Sequence, residues 1–167
     1  SFIVGAYEND ENVSAAGAAY AFNLPTCGTY SDNGQALGNE YTRSIASGDI
    51  DGDGDLDLIC GNDGAPLTVY LNDGAGGFSW TGQMFEAKLT YSVAIGDLDN
   101  DGDLDLIEGN APGASYVYFN DGTGHFDLSG QSLGNSSSVA AADLDNDGDL
   151  DLVLGGAPTH IYWNDGA

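Results

Sequence analysis

Apolar and polar positions alternate in short bursts along this chain and never keep helical spacing over a useful length. Runs of small and branched residues, Ser44-Ile45-Ala46-Ser47, Ser92-Val93-Ala94-Ile95 and Ser138-Val139-Ala140-Ala141, each precede an acidic stretch. Small side chains of this kind suit a strand crowded by its neighbours. After the acidic stretch comes an apolar run such as Leu104-Asp105-Leu106-Ile107, closed by Gly-Asn or Gly-Gly. Next stand Val69-Tyr70-Leu71, Val117-Tyr118-Phe119 and Ile161-Tyr162-Trp163, whose β-branched and aromatic content favours strands. Each ends at Asn-Asp-Gly, a strong hairpin signal. A fourth strand is expected to start near Phe78 and Phe126.

These units repeat. GDIDGDGDLDLI from Gly48 returns as GDLDNDGDLDLI from Gly96 and as ADLDNDGDLDLV from Ala142. The first aspartates fall at 49, 97 and 143, and LNDGAGGF, FNDGTGHF and WNDGA travel with them. Periods of this size mark arrays or propellers, whose units cannot bury a core alone. Four short strands per period predict an all-β chain built from the blades of a β-propeller. The expected division is a partial first blade and connection over 1–39, blades with acidic loops over 40–88 and 89–135, and an incomplete blade over 136–167. In the first part, Phe2–Ala6 matches a second strand and Tyr20–Asn23 a third, with no acidic loop before them. The edges of the incomplete blades are expected to be covered by other polypeptide, because unpaired backbone groups are costly when buried.

Charge narrows the chemistry. Lys plus Arg is 2 against 27 Asp plus Glu, a formal charge of −25 over 167 residues. Two cations cannot build a phosphate-binding face, so nucleic acid is excluded as a partner. An anionic membrane surface is disfavoured for the same reason, and no apolar run is long enough for a spanning helix. Arg43 and Lys88 each precede an inner strand and read as partners for local carboxylates.

Fifteen of the 27 acids lie in the three repeated loops. Numbered over nine positions, each loop has Asp at 1, 3, 5 and 9: Asp49, Asp51, Asp53 and Asp57; Asp97, Asp99, Asp101 and Asp105; Asp143, Asp145, Asp147 and Asp151. Position 6 is Gly54, Gly102 or Gly148, which permits a sharp turn, and position 7 (Asp55, Asp103, Asp149) offers its backbone carbonyl. Hard oxygen donors in this number favour Ca²⁺, whereas Zn²⁺ would want the Cys or His that the loops lack. Three Ca²⁺ sites are expected. An EF-hand would need flanking helices and Glu at position 12; that position is Cys60, Glu108 or Leu154, so Glu108 reads as coincidence.

Remaining candidates are few. Cys27 and Cys60, the only cysteines, are placed to staple the first and second blades by a disulfide, with two free thiols as the alternative. Sequons at Asn12-Val13-Ser14 and Asn135-Ser136-Ser137 fall in polar connections able to carry a glycan. His125 and His160 read as surface residues. Trp80, Trp163 and the tyrosines read as blade packing, with sugar stacking as the alternative. No nucleophile–base set, phosphate loop or cofactor motif is found, so the chain is not expected to be an enzyme.

The segments Phe2-Ile-Val-Gly-Ala-Tyr, Gly17-Ala-Ala-Tyr-Ala-Phe, DLDNDGDLDLI and YFNDGTGHF together resemble the FG-GAP/VCBS repeat family, the calcium-loop propellers related to the integrin α-subunit head. The resemblance implies an extracellular or cell-surface Ca²⁺-bound propeller used in adhesion or in binding a protein or glycan. The alternative function is structural: a subunit of a homo-oligomer or filament joined through open blade edges.

Overall fold

A computed structural model describes residues 31–166. The chain divides into two compact units, Ser1–Gln35 and Ala36–Ala167, and the description concerns the second. The expected strands at Phe2–Ala6 and Tyr20–Asn23, Cys27 and the Asn12 sequon lie outside the described residues.

Eleven strands and no helix occur among the described residues. Counting from the described residues, the first blade is the expected 40–88 unit and comprises β1 (Thr42–Gly48), β2 (Asp57–Ala65), β3 (Thr68–Asn72) and β4 (Phe78–Trp80). The second comprises β5 (Lys88–Gly96), β6 (Asp105–Asn110), β7 (Ser115–Asn120) and β8 (Phe126–Leu133). The third comprises β9 (Ser138–Ala142), β10 (Asp151–Gly155) and β11 (His160–Tyr162). Within each blade consecutive strands pair antiparallel, and the chain is all-β, a partial β-propeller.

Register repeats from blade to blade. Tyr70, Tyr118 and Tyr162 stand opposite Leu58, Leu106 and Leu152, so the aromatic third strands are equivalent. The Asn-Asp-Gly turns join third to fourth strands, with Asn72 opposite Phe78 and Asn120 opposite Phe126. β2 and β5 run further than their apolar patterns suggest. β2 continues past Gly61-Asn62, and its end pairs with the start of β5, Asp63 with Leu89 and Ala65 with Lys88. That inter-blade pairing supplies hydrogen-bond partners which a period-2 reading of one strand cannot show.

Blades join through the same contacts each time. The Val93 amide donates to Ser44 Oγ at 3.1 Å, and the Val139 amide donates to Ser92 Oγ at 3.2 Å. Val93 and Val139 press on Gly61 and Gly109 so closely that a Cβ on either glycine would force a shift. Two apolar clusters fill the seams: Ile50, Ile59, Val69, Leu106 and Phe126 in the first, Leu98, Ile107, Val117, Leu152 and Leu154 in the second. Burying a side chain of this size contributes about 1.5–3 kcal/mol, so the seams hold the blades in register.

The aromatic expectation needs correction for tryptophan. Tyr70 and Tyr118 are buried blade-packing residues, but Trp80 and Trp163 are 52% and 60% exposed. Trp80 ends a three-residue outer strand and Trp163 follows β11 at the rim of a three-stranded sheet, and no strand lies beyond either among the described residues.

Candidate metal centre

Each acidic loop connects an inner strand to the next strand of its blade, β1 to β2, β5 to β6 and β9 to β10. Two residues per loop adopt left-handed backbone. Position 6 does so as Gly54, Gly102 and Gly148, with φ of 96°, 99° and 103°. Position 4 does so as Gly52, Asn100 and Asn146, with φ of 74°, 61° and 64°. Gly and Asn tolerate this region, so the choice of Gly or Asn at position 4 follows from the curl.

The curl gathers positions 1, 3 and 5. Ligand oxygens of Asp49, Asp51 and Asp53 lie within 4.8 Å of one another, as do those of Asp97, Asp99 and Asp101 and of Asp143, Asp145 and Asp147. Backbone amides brace the cluster. The Asp53 and Asp55 amides donate to Asp51 and Asp53, and the Gly54 amide donates to Asp49 Oδ2 at 3.0 Å. The second loop repeats these bonds, with Gly102 donating to Asp97 Oδ2 at 3.1 Å. Asp49 Oδ1 and Asp97 Oδ1 are buried and receive no hydrogen bond. A buried carboxylate oxygen without a donor is costly, and a cation is the partner such an acceptor lacks. The donor set, oxygen alone, suits a hard cation. The third loop is the exposed variant: Asp143 Oδ1 accepts the Asn146 amide at 2.7 Å, and all three of its triad residues face solvent.

Electrostatics point the same way. Loss of water, and after it the adjoining carboxylates, hold Asp51, Asp99 and Asp145 above the usual aspartate range.

The side chains at positions 7 and 9 meet the hairpin. The position 9 carboxylate is fully buried and ties the loop to the hairpin. Asp57 accepts the Ile50 and Asn72 amides, Asp105 the Leu98 and Asn120 amides, and Asp151 the Leu144 and Asn164 amides, at 2.8 to 2.9 Å. Each of its two oxygens already holds a backbone N–H, and it is not among the three residues that the curl gathers. Burial lifts Asp105 to about 6 despite those two donors. The position 7 side chains of Asp55, Asp103 and Asp149 lie against Gly74, Gly122 and Gly166 of the hairpins, where any side chain would collide with them. The hairpin asparagines complete the lock. Asn120 Nδ2 donates to Leu104 O in its own blade and to Ile50 O in the preceding loop, at 3.2 and 2.8 Å. Asn164 Nδ2 does the same with Leu150 O and Leu98 O, at 3.4 and 2.8 Å. Asn100 Nδ2 reaches Asp149 of the next loop. The pattern Asn-Asp-Gly signals the turn but not this bridging.

The other candidates are placed as follows. Cys60 is buried on β2 and has no disulfide partner among the described residues, which do not include Cys27. Asn135 is exposed in the β8–β9 connection, while Ser136 beside it is buried. His125 and His160 are exposed, as expected. Arg43 pairs with Asp63 at 2.6 Å, and Lys88 with Glu108 at 3.4 Å. Glu108 lies on a strand and takes no EF-hand role; it is 1% exposed, and Thr90 Oγ1, Tyr118 Oη and Lys88 Nζ all donate to it. Buried beside that carboxylate, the Tyr118 phenol is held far above its usual range.

A family model described as the FG-GAP-like repeat matches residues 49–108 and again residues 97–154, a span containing all three acidic loops. No curated protein matches the chain.

Proposed function

The chain belongs to the FG-GAP-like repeat family, and on that premise we propose that it is an extracellular, calcium-stabilised β-propeller module that binds a protein or glycan partner. The observation that carries the calcium is the pair of orphaned oxygens, Asp49 Oδ1 and Asp97 Oδ1, each inside a triad of aspartates. Asp49, Asp51 and Asp53 would hold one ion, Asp97, Asp99 and Asp101 a second, and Asp143, Asp145 and Asp147 a third. Bound calcium supplies positive charge to loops that otherwise repel themselves. The protein does the rest. Position 9 and the hairpin asparagine fasten each loop to its own blade, and Asn120 and Asn164 also reach the loop before, so an ion ordering one loop also stiffens a seam. A module so braced presents fixed surfaces to a partner.

The test is thermal unfolding with and without calcium. Binding to the folded state alone stabilises by about 2.7 kcal/mol per site at a hundredfold excess over Kd. Chelation is expected to lower Tm and added Ca²⁺ to restore it, with Mg²⁺ a weak substitute. An unchanged Tm would remove calcium from the account.

A further inference from the structure

We propose that the second blade carries a binding cleft for a protein partner, entered by a cationic side chain flanked by an apolar one. The proposal deepens the binding-module reading and rests on it. Its starting point is the internal repeat. The connection entering each inner strand reads Gln35-Ala36-Leu37-Gly38-Asn39-Glu40, Gln83-Met84-Phe85-Glu86-Ala87-Lys88 and Gln131-Ser132-Leu133-Gly134-Asn135-Ser136. The first and third share Leu-Gly-Asn, and the second replaces all three residues. Further departures occur at Glu108, where the sister repeats have Cys60 and Leu154, and at His125 and Asp127, where the first repeat has Gly77 and Ser79. Residues common to the repeats are explained by the fold they share; coordinated departures need another reason.

The departures converge in space. Met84, Phe85, Glu86, Lys88, His125 and Asp127 all line one cleft of about 540 Å³, within the size range of ligand sites. Phe85 forms one wall, edge-on to Tyr118 with ring centroids 5.4 Å apart. Met84 and Leu128 give the mouth an apolar lip, 73% and 53% exposed. Glu86 and Asp127 stand on the rim with side chains 87% and 86% exposed. His125 Nε2 stands 3.8 Å from Asp127 Oδ1, and Lys88 Nζ reaches Glu86 Oε2 only at 3.9 Å. The Lys88 ammonium is turned inward to Tyr118 Oη at 3.0 Å and Glu108 at 3.4 Å, over the Tyr116 ring at 4.1 Å, with 16% of the side chain exposed. The cleft therefore offers two solvent-exposed carboxylates, each paired only at long range, beside exposed apolar surface. Charge complementarity selects a cationic group with an aliphatic neighbour, and the overall charge of −25 favours its approach.

The probe is acetyl-Leu-Arg-amide, titrated into the calcium-loaded 167-residue chain while backbone amide shifts are followed by NMR. Acetyl-Leu-Glu-amide and maltose are the controls. Saturable shifts are expected around Glu86, His125 and Asp127 with the arginine peptide alone. The variant E86G/D127S restores residues of the sister repeats and is expected to weaken binding by about tenfold, what two rim ion pairs supply together. The calcium-induced rise in Tm should be unchanged in that variant, which separates failure of the cleft from failure of the calcium reading. Absence of shifts at millimolar peptide would overturn the proposal. So would equal shifts with the glutamate peptide, shifts with maltose instead, or binding that survives E86G/D127S.

Discussion

The Thr90 hydroxyl donates to Glu108 Oε1 at 2.8 Å. One blade earlier the equivalent hydroxyl, Thr42, donates instead to Asn62 Oδ1 at 2.8 Å. Glu108 has drawn Thr90 away from Asn110, and Asn110 Oδ1 is left buried without a donor. The second blade thus keeps a buried ion pair at the expense of a hydrogen bond that its neighbour makes.

That exchange sets the first expectation. Glu108→Leu alone strands the Lys88 ammonium and should cost about 2 kcal/mol, under the roughly 3–5 kcal/mol of a fully buried pair because Lys88 retains Tyr118. Lys88→Ser combined with Glu108→Leu, the residues of the third repeat, frees Thr90 for Asn110. The double variant should lie within about 1 kcal/mol of the parent or above it. Urea unfolding in saturating calcium measures both; a double variant as damaged as the single one would refute the explanation.

Asp105 is expected to matter for folding with or without metal. Asparagine at this position keeps one acceptor oxygen and sets an NH₂ group against a backbone N–H. Asp105→Asn should cost about 2 kcal/mol, the penalty of a buried donor left unpaired. Denaturant midpoints in calcium and in chelator should fall by similar amounts.

Asn120 links the second blade to the loop of the first through Ile50 O. Asn120→Asp removes both donors and turns a carboxylate toward two carbonyls, with a loss of about 2 kcal/mol or more expected. Amide exchange should rise at Ile50 and Leu104 before it rises in the strand centres. Uniform exchange across the blade would contradict the bridging role.

The calcium-free protein should respond to acid unusually. A carboxyl whose folded pKa is raised binds its proton more tightly when folded, so its contribution is present below the unfolded value and is lost as pH rises through the folded one. For Asp105 that window runs from the ordinary aspartate range, about 3.9, up to about 6. Asp51, Asp99 and Asp145 act in the same direction. Asp73 and Asp121, lowered chiefly by the Gly77 amide and by the Thr123 hydroxyl, act below this window. In chelator, Tm at pH 5 should exceed Tm at pH 7.5. In calcium the order should reverse, since protons compete with the ion. A chelated protein that loses stability steadily on acidification would show that these shifts do not govern it.

Strand order, hairpins and the aspartate triads were legible because they rest on short-range chemistry repeated in register: small residues before each loop, glycine at position 6, Asn-Asp-Gly at each turn. What escaped the sequence depends on residues far apart in it. Glu108 finds Lys88, Thr90 and Tyr118 across three strands. Position 9 reads as a ligand in the string, where nothing shows that it also holds two amides, one from a hairpin 15 residues on for Asp57 and Asp105. Trp80 and Trp163 read as blade packing, but their exposure depends on which strands lie beside them, and no local pattern encodes that.

Calcium titration calorimetry on the chelator-stripped chain tests the central claim most directly. The account expects three ions per chain, the third weakest because the triad of Asp143, Asp145 and Asp147 is exposed. Asp101→Ala should reduce the count to two while leaving the first and third sites. No binding heat at millimolar calcium, or an unchanged count in Asp101→Ala, would contradict it.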